Sequence, residues 1–151
     1  MLVEQKVASL SNERNGPLVT ATAGITNEVL DVETLRAFEK VKSEDGSDFV
    51  VELIDLYLEG TPRRIQAIRK AVAEKEWIAL KHAAHTLKGS SSTLGLRTVA
   101  KACGELENVT SSISTGVVEG FVRTLECGLC EACEALVAER NTRLAMKKRL
   151  A

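Results

Sequence analysis

The stretch Trp77-Ile78-Ala79-Leu80-Lys81-His82-Ala83-Ala84-His85-Thr86-Leu87-Lys88-Gly89-Ser90-Ser91-Ser92-Thr93-Leu94-Gly95 carries two patterns at once. Trp77, Leu80, Ala84, Leu87, Ser91 and Leu94 recur in alternating steps of three and four. That is the spacing of a single apolar stripe on an α-helix. Between them stand histidines, lysines, a glycine and serines, and glycine and serine weaken a helix interior. A stripe of this kind is stable only when other helices cover it.

The flanking sequence supplies those helices. Leu94-Gly95 reads as a helix stop, and Leu96, Val99, Cys103, Leu106 and Val109 repeat the stripe beyond it. Upstream, Asp31 is a candidate N-cap for a short helix bearing Val32, Leu35, Phe38 and Val41, which stops at Ser43-Glu44-Asp45-Gly46. Ser47 is placed to cap the next helix, whose stripe is Phe49, Leu53, Leu56, Tyr57, Ile65, Ile68 and Val72. Gly60-Thr61-Pro62 predicts a kink or a restart in it. A last helix begins near Val117 and carries Phe121, Leu125, Gly128, Leu129, Ala132, Leu136 and Val137. No segment alternates as a strand does. The expected fold is all-α, an antiparallel up-and-down four-helix bundle with a short additional N-terminal helix.

Residues 1–30 lack a sustained period and read as a flexible N-terminal arm, dispensable for the fold. Residues 31–140 are the bundle, and 141–151 a basic helix end or tail. In that end, Arg140, Arg143, Lys147, Lys148 and Arg149 are expected to complement the helix dipole and fray into solvent.

With 151 residues, 44% hydrophobic, the chain suffices for one domain. A net charge of −1 and the lack of a basic stripe argue against nucleic acid as a partner. No apolar run approaches the roughly 20 residues of a membrane span, and no secretory pattern opens the chain, so a cytoplasmic protein with no membrane partner is expected. Cys127, Cys130 and Cys133 share a Cys-x-x-Cys rhythm with no second ligand pair, and Cys103 lies in a core stripe. They are expected to be small residues on or beside a buried face, with no metal bound.

On a helical wheel His85 falls about 130° from the stripe centred on Ala84 and Ser91, and His82 nearly opposite it. Both should meet water. Lys81, His85, Lys88 and Ser92 form a row at successive turns, with Gly89 between that row and His82. A neutral imidazole is a good nucleophile near neutral pH, and an ammonium group one turn away can pair with phosphoryl oxygens. Gly89 offers no side chain to obstruct an incoming partner. The constellation suits phosphoryl capture on His85.

Enzymatic readings find little support. Gly89 to Gly95 is not a phosphate-binding P-loop, since no Gly-Lys-Ser/Thr follows and no strand precedes. There is no Gly-x-Ser-x-Gly elbow, no kinase glycine-rich loop and no His-Glu-x-x-His motif.

The run from His85 through Leu96, followed by Cys103 and Leu106-Glu107, resembles the histidine phosphotransfer (HPt) domains of bacterial multistep phosphorelays, as does Asp55-Leu56-Tyr57-Leu58-Glu59-Gly60-Thr61-Pro62. The similarity runs from about Leu30-Asp31 to near Arg140. It implies that His85 is phosphorylated, that Lys88 assists the phosphoryl group and that Gly89 leaves room for a docking partner; the wheel then sets Lys81, His82 and Ser92 on the expected docking face. It implies a phosphoryl carrier without kinase activity of its own. Its partners would be receiver domains of hybrid histidine kinases and response regulators, and the carrier is expected to be a monomer. It needs no cofactor of its own, because the receiver supplies magnesium. Leu96 stands where many relatives have alanine, and the cysteine cluster is foreign to the family's motifs. The alternative is a non-catalytic helical adaptor that has kept the fold, a reading that the presence of both His85 and Lys88 disfavours.

Overall fold

A computed structural model of the chain describes residues 29–41 and 43–150. Among the described residues five helices run in order: α1 Val32–Arg36, α2 Phe49–Ala73, α3 Trp77–Thr93, α4 Arg97–Glu107 and α5 Thr115–Leu150. No strand ladder forms among the described residues, and the all-helical bundle expected from the sequence is present. The four longer helices close a ring in which α2 packs on α3, α3 on α4, α4 on α5 and α5 back on α2. Cross-links between neighbours fix their directions. Along α2 and α5, Asp48, Asp55 and Arg69 meet Arg143, Arg140 and Glu126, so one number falls as the other rises. Tyr57 near the start of α2 meets Ser91 near the end of α3.

Two tight turns make α3 antiparallel to both neighbours. At its end, Leu96 N–H donates to Ser91 O (2.8 Å) and Gly95 N–H to Ser92 O (3.1 Å), which ties off the last carbonyls with Gly95 at φ 77°. The same pair of bonds closes α2, where Glu76 N–H reaches Ala71 O and Lys75 N–H reaches Val72 O, but here Lys75 takes the left-handed conformation at φ 55°.

The core runs down the middle of the ring. Leu35, Ile54, Ile68, Leu80, Leu87, Leu96, Leu106, Leu125 and Leu136 are wholly buried, each contributing about 1.5–3 kcal/mol before entropy is counted. The stripes of α3 and α4 are buried as their spacing requires, Ser91 included, with Trp77 packed against the edge. Gly128 lies against Thr98 and Val99.

Several local readings are corrected. Asp48, not Ser47, caps α2: its carboxylate accepts from Val50 N–H (2.9 Å) and Val51 N–H (3.4 Å), while Ser47 turns to Asp45 and Glu52. Of the two readings of Gly60-Thr61-Pro62, the restart is ruled out: α2 continues through Pro62. Tertiary burial overrides the local cost, because Tyr57, Thr61 and Ile68 on that face are all in the interior, and Thr61 Oγ1 donates back to Tyr57 O at 2.6 Å. The N-terminal helix is shorter than its stripe suggested, and Val41 lies beyond it, exposed. Val137 is also exposed.

Residues 1–28 of the proposed arm lie outside the described residues. Val29 and Leu30 belong to the core instead, so the boundary at residue 30 falls inside packed structure. At the other terminus α5 stays helical to Leu150, and its first basic residues are anchored. Arg140 Nε meets Asp55 Oδ1 (2.6 Å), and Arg143 reaches Glu39, Asp48 and Glu139. Cys103, Cys130 and Cys133 are buried, Cys127 is exposed and none of the four is in a disulfide; burial pushes the Cys103 and Cys133 thiols up to about 12.

Candidate functional site

The exposed side of α3 faces solvent because its opposite side carries the core stripe. His85, Lys88, Gly89, Lys81, His82 and Ser92 are all exposed, as the wheel requires. The His85 side chain is 76% exposed.

No role was read from the sequence for the group beneath that histidine. Glu107, the last residue of α4, is only 13% exposed and lies between the two helices. Its Oε1 is 2.6 Å from His85 Nδ1 and its Oε2 is 2.9 Å from Lys88 Nζ. One carboxylate therefore holds both residues, through one oxygen each. The hydrogen bond from Lys88, and then that from His85, keep the Glu107 carboxyl below its ordinary carboxylate value. Glu107 is ionised at neutral pH.

The Gly95 turn makes this meeting possible. His85 lies before the turn and Glu107 a similar distance after it, so the antiparallel pair brings them to one level. Glu107 follows the buried Leu106, which sets it on the flank of α4 facing α3. The Leu106-Glu107 pair carries that signal, legible once the turn is placed. Lys81, His82 and Ser92 share the exposed side but are not part of this contact. Thr86 Oγ1 donates to the His82 carbonyl and Thr93 Oγ1 to that of Gly89, both ordinary back-bonds within the helix.

A Cβ added at Gly89 would meet nothing within 4 Å among the described residues. The surface there is open. The far side of this opening is bounded by Ser90, whose hydroxyl donates to Leu87 O and accepts from Arg64 Nη1 of α2 at 3.4 Å.

The Hpt domain family matches residues 52–139, more than half of the chain and the whole of this site. The chain belongs to the Hpt family. Histidine phosphotransfer in phosphorelays is the work of that family, whose members are carriers rather than kinases. Among solved structures, histidine-containing phosphotransfer protein B (HptB) of Pseudomonas aeruginosa PAO1 matches with 25% identity and a TM-score of 0.62. The alignment covers 76% of this chain and 96% of that one. No curated protein matches the chain. No helix among the described residues is long and apolar enough to cross a membrane.

Proposed function

We propose that His85 accepts a phosphoryl group from the phospho-aspartate of one receiver domain and passes it to the aspartate of another. The observation that carries this reading is the 2.6 Å contact between His85 Nδ1 and the ionised Glu107. A carboxylate offers only acceptors, so the nitrogen facing it bears the proton. In a neutral ring the other nitrogen, Nε2, then holds the lone pair, and the exposure of the ring presents that lone pair to a partner.

The step balances without a proton transfer at the reacting atom. The Nε2 lone pair forms the N–P bond while the O–P bond of the aspartyl phosphate breaks, returning a carboxylate to the donor. The ring gains positive charge, with its Nδ1 proton still held by Glu107, and that carboxylate stabilises the charge. Lys88, already at the site, can turn from Glu107 Oε2 to a phosphoryl oxygen. Transfer to the second receiver reverses these events. Magnesium belongs to the receivers in this reading, where it holds the aspartyl phosphate, and the carrier acts as a monomer in the cytoplasm.

Label transfer from a phosphorylated receiver tests the assignment. His85→Gln should accept no label, and His82→Gln should keep most of the wild-type rate. Equal losses in the two variants would remove His85 from its role.

A further inference from the structure

Helix α3 carries charge of one sign. From Trp77 to Thr93 it holds Lys81, Lys88 and two histidines, and no aspartate or glutamate. The two lysines flank His85, four residues before it and three after, each about one turn away along the same side of the helix. Their surroundings differ. Lys88 Nζ is 2.9 Å from Glu107 Oε2, so its charge is already matched. Lys81 is exposed and pairs with no carboxylate among the described residues. Glu76, the acidic residue nearest to it in sequence, is the N-cap of α3 and lies about 140° round from it. Glu107 ends α4, and the residues that follow it, Asn108 to Ser114, are uncharged.

A phosphoryl group brings close to two negative charges. Before transfer the charges of Glu107 and Lys88 cancel. After it, a dianionic group stands on an imidazolium beside a carboxylate that still claims the same lysine, and the site is left one negative charge in excess. Lys81 is the cation one turn away that removes the excess. Side chains on a helix lean toward its N-terminus, which carries the outer edge of the His85 ring over the turn that bears Lys81.

We propose that Lys81 is a second phosphoryl-binding residue, whose ammonium group closes on the phosphoryl oxygens of phospho-His85 and sets how long the group stays on the ring. The inference rests on the phosphotransfer reading. Loss of the group to water breaks the N–P bond, returns its electron pair to Nε2 and forms an O–P bond, leaving a neutral ring with its Nδ1 proton and releasing dihydrogen phosphate. On the way the departing group is metaphosphate-like and carries one negative charge instead of two. A cation on its oxygens therefore holds the bound group more strongly than the departing one, and the loss slows. Lys88 cannot fill both places, since to give itself wholly to the phosphoryl group it must leave Glu107.

The test needs no partner. The full chain is loaded with the small donor phosphoramidate, freed of it, and the decay of the label is timed, with His85→Gln protein as the background and melting curves confirming that each variant folds. Lys81→Ala should shorten the half-life of the label about fivefold and Lys81→Glu about tenfold, whereas Lys81→Arg should stay near wild type. Lys101→Ala removes an equal charge from the exposed face of α4 and should leave the half-life unchanged. An unchanged half-life in both Lys81→Ala and Lys81→Glu would overturn the proposal even if transfer from a receiver fell, because that pattern marks a docking contact. An equal shortening by Lys101→Ala would also overturn it, by tracing the effect to net charge. A wild type that neither phosphoramidate nor a phosphorylated receiver can load would instead overturn the phosphotransfer reading itself.

Discussion

Gly89 and Gly95 stand within two turns of each other, and the molecule treats them in opposite ways. At Gly95 the backbone is left-handed, and an added Cβ would lie 2.7 Å from the Asp31 carbonyl oxygen and 3.0 Å from Thr34 Cβ. The fold itself requires a glycine there, because the segment leading into α1 is pressed on the turn: Asp31 N–H donates to Gly95 O, and Arg97 pairs with Asp31. At Gly89 the backbone is ordinary helix and the space is empty. Nothing among the described residues needs a residue there that costs about 1 kcal/mol relative to alanine in a helix. The difference separates a glycine kept for folding from one whose use lies outside the molecule.

The contrast can be broken most directly at Gly89. A Gly89→Leu protein should melt like the wild type yet accept phosphoryl groups from a receiver about 100-fold more slowly, since small misplacements of reacting atoms cost rates of that order. A folded variant with normal transfer would return Gly89 to a neutral surface role. Next in size, Gly95→Ala should lose about 2 kcal/mol of stability from the left-handed backbone and the clash with Asp31. Its residual folded fraction should still accept label, and an undiminished melting temperature would show that the turn relaxes freely. Smallest is Gly89→Ala, expected to gain about 0.5–1 kcal/mol in denaturant unfolding. A loss of stability there would mean that the fold does require the glycine.

The same division governs what the sequence reveals. The stripes of α3 and α4 are legible because burial repeats with the helix period, strongly enough to place the polar Ser91 inside. The exposure of His85 follows from the same wheel. Glu107 is different: its place under His85 depends on how two helices align across the Gly95 turn, which no single-helix pattern records. Asp48 and Ser47 show a finer limit, since adjacent residues can both cap and only the entry angle of the chain decides between them. At Pro62 local propensity allowed a restart, and α2 stays one helix with Tyr57, Thr61 and Ile68 buried along its flank. Arg140 and Arg143 looked like solvated charge because their carboxylate partners lie 85 and 104 positions away at Asp55 and Glu39.

Buried between α2 and α3, the Tyr57 hydroxyl meets Ser91 Oγ at 2.9 Å. Leucine and alanine stripes resemble a screw thread: turned or slid by one pitch, they engage again almost as well. A pair of hydroxyls shut away from water does not, because each would lose its partner and pay for desolvation. One turn of slippage is about 5.4 Å, enough to move His85 by a whole turn against α2. The hydroxyl pair therefore works as an indexing pin. It adds little to the strength of the bundle, but it sets the height at which α3 stops against α2, and with it the level at which the imidazole stands.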